Sequence, residues 1–379
     1  MHKPSKIALS APQLDANSVA EVARAIEDNW ITAGGPFVTK FEQALQKALG
    51  TKRGLVALNS GTSALHLALI LAGVEAGDSV VCQTMTYVAT ANPIAYLGAT
   101  PIFIDSEPDT YNMCPTVLEQ TLTNLVQTGK KPKAILVVHS YGIPAKIHRI
   151  AALAKQHQIT LIEDAAEALG SKVGAVNCGL FGDYGVVSFN GNKLITTGGG
   201  GALICKKQDD AARARHLATQ AKVSASGFEH DAVGYNYRMP GLNAALGIAQ
   251  LNTLPERVDA KRKIHSFYKA IFAKIDDVAL VEVEDEELYA NYWLNVIRFK
   301  ETSEKTPEGL RKHLENLEIE SRYLWKPLHL QGIYAHQVFS GTTIAEDFWK
   351  HSLCLPSGTG MTNSDLDRIK AALIAYFSK

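Results

Sequence analysis

The 379-residue chain is short of several things, and each shortage removes a class of function. Its five cysteines, Cys82, Cys114, Cys178, Cys205 and Cys354, are scattered and include no C-x-x-C pair. That usage argues against a disulfide framework or a cysteine zinc site and points to reduced thiols in a cytoplasmic protein. No run approaches the roughly 20 apolar residues of a membrane span. The opening Met1–Lys6 stretch lacks the apolar core of a signal peptide. Neither charge sign is in excess, since 38 Lys plus Arg balance 38 Asp plus Glu. The balance removes the field needed for general nucleic-acid or membrane-surface binding, though a local basic pocket remains open. Also missing are a G-x-x-x-x-G-K-[ST] loop and a G-x-G-x-x-G fingerprint, which disfavours ATP and NAD.

What is present is an ordinary globular balance, 46% hydrophobic and 20% charged, with length for a large core. Short apolar runs at 55–58, 79–82, 100–105, 134–138, 159–162, 184–189 and 202–205 read as strands. Helical patterns separate them: 64–70 is one, and Ile147, Ile150, Ala151 and Ala154 mark another, with Lys146, Arg149 and Lys155 on its wet side. Continuous apolar strands alternating with amphipathic helices predict an α/β fold with a mostly parallel sheet covered on both faces. Beyond residue 251 the texture changes. A charged helix over 257–274, strands at 278–283 and 292–299, a helix at 308–317 and a C-terminal helix predict a smaller α+β domain. The expected division is 1–250 and 251–379.

In a parallel sheet, ligands bind beyond the carboxyl ends of the strands. After the first strand, Asn59-Ser60-Gly61-Thr62-Ser63-Ala64 opens a helix; its free N–H groups and hydroxyls suit one phosphate, though taken alone the motif is more often an ordinary cap. After 159–162 comes Glu163-Asp164-Ala165-Ala166-Glu167, a carboxylate placed to hold a protonated ring nitrogen or to cap a helix. No His/Cys/carboxylate cluster at metal spacing accompanies it, so no metal is expected. Lys193 then stands between the run Ser188–Asn192 and four glycines, Gly198–Gly201. Partial burial would make its amine a nucleophile toward aldehydes, and the glycines signal tight turns or close backbone approach. A phosphate cradle, an acid for a ring nitrogen and a nucleophilic lysine are together what pyridoxal 5′-phosphate (PLP) needs.

The stretches Trp30–Pro36, Gly61–Ala64, Thr84–Asn92, Gly98–Asp105, Glu163–Gly170, Ser188-Phe189 with Lys193, Gly234–Met239 and Leu355–Gly358 resemble the DegT/StrS nucleotide-sugar aminotransferases. The resemblance covers nearly the whole chain, in order. It implies the aspartate-aminotransferase fold, PLP as cofactor and a homodimer with shared active sites. By position, Lys193 is the Schiff-base lysine and proton carrier, and Asp164 the partner of the ring nitrogen. Tyr87 matches the ring-stacking aromatic, and Gly61, Thr62, Ser63 and Ser188 match the phosphate site. Asn236 matches a phosphate contact donated by the neighbouring subunit. Glu167 stands where the family often carries Gln or His near the cofactor ring, and Asn190 replaces a frequent His or aromatic residue. Lysine, rather than histidine, at position 193 favours transamination over dehydration.

The expected reaction moves an amino group from L-glutamate to C4 of a UDP-linked 4-keto-6-deoxy (N-acetylamino) sugar. Arg238, Lys326 and His329 are the expected cations for its diphosphate. The Ser188–Lys193 and Gly198–Gly201 segments look most similar to members making UDP-4-amino-sugars of the bacillosamine and legionaminate type. Two alternatives stand beside this reading: a GDP-4-keto-6-deoxymannose aminotransferase (a perosamine-type synthase), and a non-catalytic PLP-binding regulator.

Overall fold

Seven five-residue strands and one short edge strand build the main sheet of this computed structural model, which describes residues 5–223 and 227–378. Residues Met1–Pro4, read above for a targeting signal, lie outside that range. Across the sheet the order is Gly54–Leu58, Gly201–Cys205, Tyr184–Ser188, Thr160–Asp164, Ala134–Val138, Ser79–Gln83, Thr100–Ile104 and the two-residue Phe339–Ser340. Only Gly201–Cys205 runs against its neighbours; the others point one way. The sheet is therefore mostly parallel, as the strand pattern predicts.

The Ala134–Val138 strand explains why its sequence does not alternate. Ala134, Leu136 and Val138 face a core shared with the helix Gly61–Leu71, while Ile135 and Val137 face the helices Pro115–Gln127 and Ile147–His157. Both faces are dry, so every position is apolar. Helix Gly61–Leu71 is buried all round from Ser63 to Leu69, which fits a mostly apolar sequence there, interrupted only by Ser63 and His66.

The C-terminal part forms an antiparallel sheet, in order Val278–Leu280, Asn295–Phe299, Ser352–Leu355 and Arg322–Tyr323. Its core joins Ile297, Phe299, Leu353 and Leu355 to the helices Leu254–Phe272, Pro307–Asn316 and Asn363–Phe377. Several segments cross between the parts, among them Leu288–Tyr289, which pairs with Lys172–Val173. Ile7 packs in the C-terminal core, and Phe339–Ser340 pairs with Thr100–Ile104 at the edge of the large sheet. No helix among the described residues is long and apolar enough to cross a membrane.

Candidate active site

The carboxyl ends of the parallel strands open onto a cavity of about 470 Å³. Ser60, Gly61 and Thr62 line it from the opening of one helix, Thr86, Tyr87 and Thr90 from the loop after Ser79–Gln83, and Asp164 and Glu167 from the end of Thr160–Asp164. Ser188, Asn190, Asn192 and Lys193 close it from the next strand and its loop. The C-terminal part adds Trp293, Arg322 and Trp325.

The sheet brings the two central residues together through neighbouring strand ends. Asp164 ends a strand at the sheet's middle, and Lys193 follows the adjacent strand by a short turn whose Lys193 N–H donates to the Asn190 carbonyl. Lys193 Nζ lies 3.1 Å from Glu167 Oε1 and 4.1 Å from the centre of the Trp293 ring. The amine is thus held between a carboxylate and an aromatic face. Glu167 Oε2 accepts the Tyr141 amide at 2.8 Å. Burial pushes the Glu167 carboxyl up, and Lys193 partly offsets it. Asp164 accepts from Thr90 Oγ1 at 2.9 Å and from the Ala166 amide at 3.1 Å. Burial raises its carboxyl too, and these two hydrogen bonds with the charges of Lys193 and His139 only partly offset it.

At the helix opening, Ser60 Oγ accepts from the Ser63 amide at 3.0 Å, leaving the Gly61 and Thr62 amides at the helix N-terminus. In the glycine run after Lys193, Gly198 adopts a positive φ and the last two glycines are a matter of space. A methyl on Gly201 would run into Ser60 and the Gly61 nitrogen, and one on Gly200 into Thr197. Gly201 therefore lets its strand press against the cradle from behind.

The sequence matches the DegT/DnrJ/EryC1/StrS aminotransferase family over residues 12–374. The chain belongs to that family. It is 41% identical to EpsN of Bacillus subtilis, named as a pyridoxal phosphate-dependent aminotransferase, over 100% of this chain and 97% of that one. It is 36% identical to a GDP-perosamine synthase of Caulobacter vibrioides, over 97% of each. Among solved structures, a DegT DnrJ EryC1 StrS aminotransferase from Brucella abortus superposes with a TM-score of 0.88 at 29% identity, covering 96% of each chain. The protein is a PLP-dependent nucleotide-sugar aminotransferase with the fold of its family.

The residues present fit the cofactor. Asp164 is a buried carboxylate facing a cavity, and among the described residues only neutral donors meet it. A cationic ring nitrogen is what such a group lacks. Lys193 is within reach of Glu167 on the same wall, and the helix opening at Gly61–Thr62 offers the anion site. No cluster of possible metal ligands occurs among the described residues.

The other expected residues divide. Gly61, Thr62, Tyr87, Glu167 and Ser188 line the cavity. Ser63 lies behind the wall, its hydroxyl donating to Asn59 Oδ1 at 2.6 Å. Asn236 and Arg238 are exposed and do not line the cavity of their own chain. Lys326 is exposed and sits over Trp349. His329 is not brought into the cavity: Thr84 Oγ1 at 2.7 Å, Glu346 at 3.5 Å and a stacked Phe339 occupy its ring. Sequence reasoning missed Trp293, Trp325 and Arg322, which come from the far C-terminal part. It also missed Thr90, although Thr86 and Thr90 stand four residues apart and bond at 2.7 Å beside Asp164.

Proposed function

We propose that the enzyme transfers an amino group from L-glutamate to C4 of a UDP-linked 4-keto-6-deoxy sugar, with Lys193 and Asp164 as its catalytic residues. The observation that carries the chemistry is the pairing of a reachable amine, Lys193, with an unpaired buried carboxylate, Asp164, on one cavity wall. Bound there, PLP supplies an aldehyde that holds amines and a ring that accepts the electron pair left when a proton departs. Lys193 Nζ would anchor the aldehyde and carry the proton on each half of the exchange. Asp164 holds the proton on the ring nitrogen. Glu167, bonded to Lys193 Nζ, receives the amine when it is released. Gly61, Thr62 and Ser188 hold the phosphate, and Tyr87 covers the ring. Arg322, exposed and held to Glu320 Oε1 through Nε and Nη2, is the guanidinium on the cavity wall and the cation nearest to hand for the acceptor's diphosphate.

By the resemblance, Asn236, which does not line its own chain's cavity, is supplied by a second copy in a homodimer with shared active sites. The exposed Trp30, Ile31, Tyr96, Phe228 and Val233 are apolar surface of the kind such an interface would cover. The UDP reading rests on the resemblance of Ser188–Lys193 and Gly198–Gly201. The 36% identity to a GDP-perosamine synthase favours GDP-4-keto-6-deoxymannose as the second reading.

A half-reaction decides between them. Enzyme carrying the aminated cofactor is offered UDP- and GDP-linked 4-keto-6-deoxy sugars, and the return of the cofactor's original absorbance is followed. Faster return with the UDP sugar is expected; preference for the GDP sugar establishes the second reading. Lys193→Ala is expected to lose turnover by at least about 10³-fold, and a rate near wild type would overturn its role.

A further inference from the structure

One layer behind Lys193 lies a second lysine that no step above uses. Lys261, in the middle of helix Leu254–Phe272, is 1% exposed. Among the described residues its Nζ meets only oxygens of neutral groups. It donates to the Ser357 carbonyl at 2.5 Å, the Trp293 carbonyl at 2.7 Å and Ser10 Oγ at 3.4 Å. Three oxygens match the three N–H bonds of an ammonium group. Burial nonetheless pushes Lys261 down to about 7, since no acid offsets the loss of water.

Two of those oxygens belong to residues that grip the peptide leading into Lys193. The Asn192 carbonyl accepts from Trp293 Nε1 at 2.7 Å and from Ser10 Oγ at 3.1 Å. The Trp293 ring that makes the first of these bonds is the one lying 4.1 Å from Lys193 Nζ. Lys261 therefore fastens, at one point, the backbone of the residue whose ring lies beneath the reactive amine and the Ser10 hydroxyl, the two residues that donate to the carbonyl before Lys193. An apolar side chain of similar length would fill the same space but leave the Trp293 and Ser357 carbonyls without a donor. Packing alone does not call for an ammonium here.

We propose that Lys261 is a positioning residue that sets the place of Lys193 through Trp293, Ser10 and the Asn192 carbonyl. The proposal rests on the reading of Lys193 as the reactive amine. Without Lys261 the Trp293 carbonyl loses its donor, the indole swings, and the Asn192–Lys193 peptide loses its register against Glu167.

The test uses Lys261→Met, Trp293→Phe, their double variant, and Ser10→Ala. In cofactor-free protein, the rate at which trinitrobenzenesulfonate labels Lys193 is measured by peptide mapping, alongside the melting temperature. In loaded enzyme, the glutamate half-reaction is resolved into its limiting rate and its half-saturation. Lys261→Met is expected to melt below the wild-type temperature yet fold, because the buried Trp293 and Ser357 carbonyls lose their donor while a buried charge is removed. Its Lys193 labelling rate should change at least fivefold, and its limiting rate should fall at least tenfold with half-saturation within twofold. The double variant should be no worse than the more affected single one, because both act along one path. Wild-type labelling and limiting rates in folded Lys261→Met would overturn the proposal, as would effects that multiply in the double variant. Should Lys261→Met not fold, Trp293→Phe and Ser10→Ala carry the test, and unchanged labelling in both sinks it. Borohydride trapping of PLP on Lys193 in the wild type checks the underlying reading separately.

Discussion

Asp164 has opposite effects on the cofactor-free and loaded enzyme. Burial raises its carboxyl, so the folded chain gives up this proton later than the unfolded chain does. Between the ordinary value of 3.8 and the raised one, the folded state holds more protons, and Asp164 costs stability as pH rises. Asp164→Asn should therefore stabilise cofactor-free protein at neutral pH, with the advantage vanishing as pH falls toward 3.8. The same change should weaken PLP binding at least tenfold, about 1.4 kcal/mol. Melting curves across pH, with and without PLP, check both halves; equal melting at every pH would remove the argument. At this scale much was readable from sequence. Lys193, Asp164, Gly61 and Tyr87 each follow a strand of the parallel set, and the sheet delivers them to one place. His329 was misplaced for a physical reason. Imidazole beside Lys326 reads as a substrate cation, and nothing local reveals that Thr84, from 245 residues earlier, captures its ring.

At the scale of elements, the phosphate cradle depends on a strand that does not contribute to it directly. Gly201 opens the lone antiparallel strand and lies against Ser60 and the Gly61 nitrogen. Gly201→Ala should cost about 1–3 kcal/mol of stability, and it should weaken PLP binding by pushing the helix opening out of place. Denaturant titration and PLP titration measure the two effects; tight binding in a destabilised variant would show that the cradle tolerates the shift. The strands and long helices were legible because each buries a continuous or periodic apolar face. The reversal of Gly201–Cys205 was not, since a five-residue strand covered on both faces carries the same pattern in either direction. Two-residue strands such as Phe339–Ser340 are too short to show a period at all.

Over the whole molecule, Asp105 ties the two parts of the chain. It follows the Thr100–Ile104 strand and is 1% exposed. Its carboxylate accepts the Thr342 and Ala345 amides, both at 2.9 Å, and so caps the helix Ile344–His351, whose own Thr343 makes no side-chain cap. Asp105→Ala should cost on the order of 3 kcal/mol and open the 338–345 segment to protease before the rest of the molecule. Urea melts and limited proteolysis would show it, and a wild-type cleavage pattern would count against the tie. The same junction has a consequence for synthesis. The Phe103 and Asp105 amides find their partners only in the Val338 and Ser340 carbonyls, more than 200 residues downstream. At roughly 5–20 residues per second, that strand edge stays bare on the ribosome for tens of seconds. Neighbouring nascent chains on one messenger, each with the same unpaired edge, could stitch together there before either is finished.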